Sequence, residues 1–170
     1  SLNYTKNPPI LSTLIDLIIL NKTIKKILKT NKIDILHCRS YITTLIGLRI
    51  KKKLGIPFIF DMRGFYADER IDGNIWNKKN PIYKVIYTFF KYKEKKFLQH
   101  SNHTVSLTKS GKKEISSWNL KNQSIISVIP CCTDEELFHE KNITNIRNQI
   151  GVGKEDFIIS YVGSTGSWYM

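Results

Sequence analysis

Five short apolar runs, at residues 33–37, 57–60, 103–107, 124–129 and 157–162, alternate along this chain with stretches whose apolar residues recur every three or four positions. That alternation constrains the fold more than any other feature. A strand followed by a helix and another strand closes as a crossover between parallel neighbours, so the predicted class is α/β, a Rossmann-like parallel sheet with helices on both faces. In such sheets ligands bind outside the carboxyl ends of the strands, and the residues following each run are therefore the first candidates for function.

The helical stretches carry their own start and stop signals. Ile10, Leu14, Leu17, Ile18, Ile24, Ile27 and Leu28 predict a helix from near Pro9 to about Asn31. Ile42, Leu45, Ile46, Ile50 and Leu54 predict a second, ended by Gly55 and kept from continuing by Pro57. Asn80 and Pro81 supply a cap and first-turn proline for a long third helix whose apolar side includes Ile82, Val85, Ile86, Phe89, Phe90 and Phe97. Shorter helices are predicted at 110–118 and 143–150, the latter ended by Gly151.

Composition narrows the class of partner. The 170 residues hold 27 Lys and Arg against 14 Asp and Glu, a net charge of +13, with 41% hydrophobic residues, enough for a sizeable core. The excess is uneven, with 11 basic against 2 acidic residues in 1–60, 13 against 6 in 61–132, and 3 against 6 in 133–170. No apolar run reaches the roughly 20 residues needed to span a bilayer. Cys38, Cys131 and Cys132 form neither an even disulfide framework nor the C-x-x-C spacing of a zinc site, which points to a reducing, cytoplasmic compartment. The third helix, with Lys84, Lys91, Lys93, Lys95 and Lys96 opposite its apolar side, is compatible with an anionic membrane surface. Nucleic acid ranks below that, because no recognition helix or aromatic platform occurs.

The densest polar and aromatic stretch follows the second apolar run, at residues 61–76. Asp61, Arg63, Asp68, Glu69, Arg70 and Asp72 stand there among Phe65, Tyr66 and Trp76, a mixture suited to a polar ligand with sugar-like faces. The same ions also admit a structural role, pairing with one another to fix a long loop. His37 and Arg39 end the first run, where the sheet sets them beside that loop. Gly163, Ser164, Thr165 and Gly166 follow the last run, an arrangement that can offer backbone N–H groups to phosphate but is also an ordinary tight turn. Neither G-x-G-x-x-G nor a P-loop is present, which disfavours dinucleotide enzymes and P-loop ATPases.

Taken together, IDILHCRS, GIPFIFDMRG, HTVSLTKSGKKEI, VIPCCTDEELF and IISYVGSTGSWYM resemble glycosyltransferase family 4 from residue 33 to 170. The resemblance implies the two-domain GT-B architecture and a retaining, metal-independent transfer of a hexose from a nucleotide-sugar to a glycan or lipid-linked acceptor in surface polysaccharide synthesis. It implies an acceptor-binding domain over 1–132, an interdomain connector over 133–156, and the first strand and glycine turn of a donor-binding domain over 157–170. Catalytic roles fall to Arg63, Asp61 and His37, and acceptor contacts to Arg39, Gly64, Asp68, Glu69 and Arg70. Donor phosphates fall to Gly163, Ser164, Thr165 and Gly166, with no cofactor beyond the substrate.

Two departures stand out. The family often ends its second acceptor-domain strand in His-Gly, here Arg63-Gly64, and Cys131-Cys132 replace the usual Asn-Gly before Thr133-Asp134. The family's first glycine-rich loop and its paired glutamates find no counterpart in the 170 residues, so the chain is expected to be a fragment that is inactive alone, peripheral on the cytoplasmic membrane face. The competing expectation is a non-catalytic α/β module that binds a nucleotide or glycan.

Overall fold

The computed structural model describes residues 9–139, 141 and 147–163. The element order is α1 (Pro9–Thr30), β1 (Leu36–Arg39), α2 (Ser40–Leu54), β2 (Phe58–Asp61), α3 (Tyr66–Asp72), α4 (Pro81–His100), β3 (His103–Ser106), α5 (Lys109–Ser117) and β4 (Ile125–Val128). The strands form one sheet in the order β1-β2-β3-β4 with every pairing parallel. This is the expected Rossmann-like α/β class.

Side chains alternate between the two faces of a strand, so the register determines what each face presents. One lateral row reads Cys38, Phe60, Thr104 and Ile126, and all four are buried. Helices α2 and α5 pack on the sheet, and α4 packs on α2. Tyr41 of α2, Phe60 of β2 and Phe97 of α4 meet edge to face at 5.4–6.0 Å between ring centroids. The neighbouring row on the opposite face reads Arg39, Asp61, Val105 and Ser127.

Local chemistry accounts for the boundaries. The Asn80 side chain accepts the Ile82 N–H at 2.9 Å and Pro81 opens α4, as the sequence predicts. Gly55 ends α2 in the left-handed conformation, φ +73°. Thr108 caps α5 by accepting the Gly111 N–H at 2.9 Å. Strand β1 starts three residues later than expected, because Pro57 has no N–H and offers only its carbonyl, to Leu36 N at 2.9 Å.

Three expectations change. Residues 61–76 hold a helix, α3, whose seven residues are too few to show a period in sequence. Residues 157–162 form no strand, and Phe157, Ile159 and Val162 are 89%, 86% and 97% exposed. A strand needs a neighbour to pair its backbone groups, and none stands beside these among the described residues. Of the helix expected at 143–150, residues 143–146 lie outside the described residues and 147–150 form a turn.

The chain divides into two compact units, Ser1–Pro130 and Cys131–Met170. All strands and helices named above belong to the first. In the second, the Arg147 guanidinium donates to the Gly153 carbonyl at 2.7 Å, and Asp156 accepts the Gly153 N–H at 2.7 Å.

Candidate functional site

Strands β1 and β2 end side by side at Arg39 and Asp61. Just beyond each, the backbone enters the left-handed region at a non-glycine residue, Ser40 at φ +67° and Arg63 at φ +61°. Such conformations persist only where the surroundings hold them. At the first corner the Ser40 carbonyl accepts the Thr44 hydroxyl at 2.6 Å. At the second, Gly64 takes φ +156°, its N–H reaches the Met62 carbonyl at 2.7 Å, and its own carbonyl accepts the Tyr41 hydroxyl at 3.1 Å.

Behind the second corner lies a buried polar chain. Tyr41 is hydrogen-bonded to Oε1 of Glu94, a carboxylate wholly removed from solvent on α4. Lys91 donates to Glu94 at 2.6 Å and to Asp68 at 2.7 Å, and Tyr87 donates to the other Asp68 oxygen at 2.7 Å. Burial pushes the Glu94 carboxyl up, partly offset by its Lys91 and Tyr41 donors. Burial and the adjacent Glu94 charge hold the Tyr41 phenol well above its ordinary value. Burial opposes the charge on Lys91, yet its bonds to Asp68 and Glu94 outweigh this and leave the ammonium harder to deprotonate. The chain ties α2, α3 and α4 together beneath the turn that presents Arg63.

Asp61 is 8% exposed. Its Oδ2 lies 3.3 Å from Nε2 of His37, a largely exposed ring, while its Oδ1 is buried with no hydrogen-bond partner among the described residues. A buried carboxylate oxygen left unpaired calls for an explanation, and a donor from a ligand is one that fits its place at the end of the sheet.

Next to it, Arg63, Gly64, Glu69, Ser106, Thr108 and Gly111 are among the residues lining a cleft of about 240 Å³ between the ends of β2 and β3 and the start of α5. Glu69 and Phe65 also line an adjoining cleft of about 650 Å³, which Lys91, Lys95, Glu114 and Trp118 close on the far side. Burial against this wall raises the Glu69 carboxyl.

Of the residues expected at the site, the fold brings together His37, Arg39, Asp61, Arg63, Gly64 and Glu69 near the ends of β1 and β2. Asp68 takes the structural role, tied to Tyr87 and Lys91. Arg70 lies elsewhere, its guanidinium 5.0 Å from the Tyr66 ring and facing an apolar groove. Gly163 sits in an exposed bend, and Ser164, Thr165 and Gly166 lie outside the described residues. Lys91 does not belong to a solvated lysine face, because Asp68 and Glu94 draw it inward.

Sequence reasoning missed Tyr41, Glu94 and Ser106, whereas Thr108 stands where the residues following the third apolar run were expected to matter. A signal for Glu94 was present, since it falls between Phe90 and Phe97 on the apolar side of α4, where a carboxylate requires partners.

Among the described residues, no group of three or more His, Cys, Asp or Glu is placed to hold a metal ion. No described helix is long and apolar enough to cross a membrane.

A parallel sheet of this kind, with a polar cleft beyond the ends of its strands, defines a Rossmann-like α/β domain. The family described as Glycosyltransferase Family 4 matches residues 4–137, and the chain belongs to it. Its members are glycosyltransferases, which bring a sugar donor and an acceptor together. No curated protein matches the chain.

Proposed function

We propose that the chain contributes the acceptor side of a retaining hexosyltransferase, which moves a sugar from a nucleotide-sugar to a glycan or lipid-linked acceptor in surface polysaccharide synthesis at the cytoplasmic membrane face. The observation that carries this is the buried Oδ1 of Asp61, without a hydrogen-bond partner among the described residues, beside the left-handed corner at Arg63. A carboxylate oxygen in that position accepts an acceptor hydroxyl, and the exposed Arg63 guanidinium donates to the sugar or to developing negative charge. His37 and Arg39 support Asp61 from the neighbouring strand, and Gly64 and Glu69 shape the cleft. Residues 1–132 are the acceptor domain and 133–156 the connector. Residues 157–170 open the donor side, with Gly163, Ser164, Thr165 and Gly166 at the donor phosphates. No metal is required in this scheme, because backbone N–H groups and cationic side chains stabilise the leaving diphosphate.

The test is steady-state transfer by the full natural protein, using a panel of uridine, guanosine and thymidine diphosphate hexoses with lipid-linked saccharides as acceptors. Arg63→Ala should lower kcat/KM by roughly 10- to 100-fold, since a hydrogen bond to a charged group contributes about 1.5–3 kcal/mol. Asp61→Asn should fall in the same range. Near wild-type turnover in both variants overturns the assignment. Ligand binding with no transfer from any donor favours a non-catalytic binding module.

A further inference from the structure

Away from the cleft, a groove of about 810 Å³ runs between α1, α2 and α4. Six cations, Lys22, Lys25, Arg49, Lys52, Lys53 and Lys93, line it together with an apolar floor, and among the described residues no acidic side chain does. None of the six enters an ion pair among the described residues. Lys93 lies over the Phe89 ring at 5.4 Å.

The groove continues directly into a second of about 530 Å³, and the two share Leu14, Leu17, Leu45 and Phe89. The second is apolar and aromatic, with Trp76, Tyr83, Ile86 and Val85 in its wall. Along the shared edge Leu14 and Phe89 stand open at 52% and 42% exposure, and in the second groove Val85 stands open at 69%. One continuous surface is therefore cationic on one side and apolar with aromatics on the other. That is the division a bilayer interface presents, with anionic headgroups beside acyl chains and indole and phenol rings at the boundary.

We infer that this surface docks on a bilayer containing anionic phospholipid, the cations on headgroups and the Leu14–Phe89 edge at the acyl boundary. Charge complementarity selects the occupant: a protein partner would need a matching acidic face with apolar relief, and nucleic acid makes no use of the exposed Leu14 and Val85. The inference deepens the proposed membrane location. It moves the contact from the lysine side of α4, where Lys91 is internally paired, to the α1–α2 groove. Its test uses no sugar substrate, so the docking and transfer readings can fail separately.

The experiment is co-sedimentation of the 170-residue chain with vesicles of 30% phosphatidylglycerol in phosphatidylcholine, and of pure phosphatidylcholine, at 0.1 M NaCl. Binding to the anionic vesicles alone is expected. Each basic residue at such a surface contributes roughly a fivefold factor, so Lys25→Gln/Lys52→Gln should weaken it roughly 25-fold. The paired control Lys112→Gln/Lys113→Gln on α5 should change it less than threefold, and Leu14→Gln should weaken it several-fold. Circular dichroism of each variant checks that the exposed substitutions leave the fold intact. No binding to the anionic vesicles, or a larger loss in the α5 control than in the groove variant, overturns the inference. So does duplex DNA that displaces the vesicles and binds Leu14→Gln as well as wild type, an outcome that assigns the groove to nucleic acid. Displacement by 10 mM inorganic phosphate at constant ionic strength would reduce it to a free-anion site.

Discussion

Two glycines bear directly on how the cleft and its supporting core are built. A Cβ at Gly64 would sit 1.9 Å from Oε1 of Glu69 on a backbone at φ +156°. Gly64→Ala therefore displaces Glu69 from the cleft and strains the turn, and urea unfolding should show a loss of about 1–2 kcal/mol. At Gly47, inside α2, an added Cβ meets the buried Cys38 Sγ at 2.4 Å and the Phe58 ring at 3.6 Å. Overpacking of this kind costs about 1–3 kcal/mol. Cys38→Ala vacates the contested volume, so the double variant should be more stable than Gly47→Ala alone, a coupling that a double-mutant cycle measures. The Cys38 thiol also predicts a pH effect. Burial pushes it up to about 11 from an unfolded value near 9.0. Between those values the unfolded chain releases a proton that the folded chain keeps, so stability falls as pH rises from 9 to 11. Cys38→Ala should make that fall shallower in melts taken across the range.

Helices α3 and α4 act as one support for the Arg63 turn, because Lys91 joins Asp68 to the fully buried Glu94. Lys91→Met leaves that carboxylate without its counter-ion and should cost about 3 kcal/mol near neutral pH. Glu94 has a raised folded value, so its protonated form is favoured as pH falls, and the penalty of Lys91→Met should shrink on acidification from pH 8 to 5. An unchanged penalty across that range would place the loss in packing rather than charge. This support was only partly legible in sequence. The helices with long periods and explicit caps, α2 and α4, and the four strands bounded by Gly, Pro and Asn could be read from spacing alone. Helix α3 could not, since seven residues with Asp68, Glu69 and Arg70 in the middle carry no amphipathic period. The Asp61–His37 contact was foreseeable because parallel strands end together. The separation of Arg70 from Arg63 was not, because it depends on which side of α3 meets α4. Residues 157–162 read as a strand from apolarity alone, yet a strand is a property of a pair.

The first unit, Ser1–Pro130, contains the whole sheet, the buried core and both clefts. A piece ending at Pro130 should therefore fold by itself and melt within about 3 °C of the full 170 residues, since the sheet and its buried core lie wholly within it. A broad, non-cooperative melt of that piece would show that the second unit completes the first. The assignment of this unit to acceptor binding is best tested by a ¹H–¹⁵N titration of the 170-residue chain with oligosaccharides ending in glucose, galactose, mannose or N-acetylglucosamine. Acceptor binding here requires that at least one sugar shift the amides of residues 37–39, 61–65 and 106–111, and that Asp61→Asn abolish the shifts. Perturbations confined to the α1–α2 groove, or a full set of shifts persisting in Asp61→Asn, would contradict it.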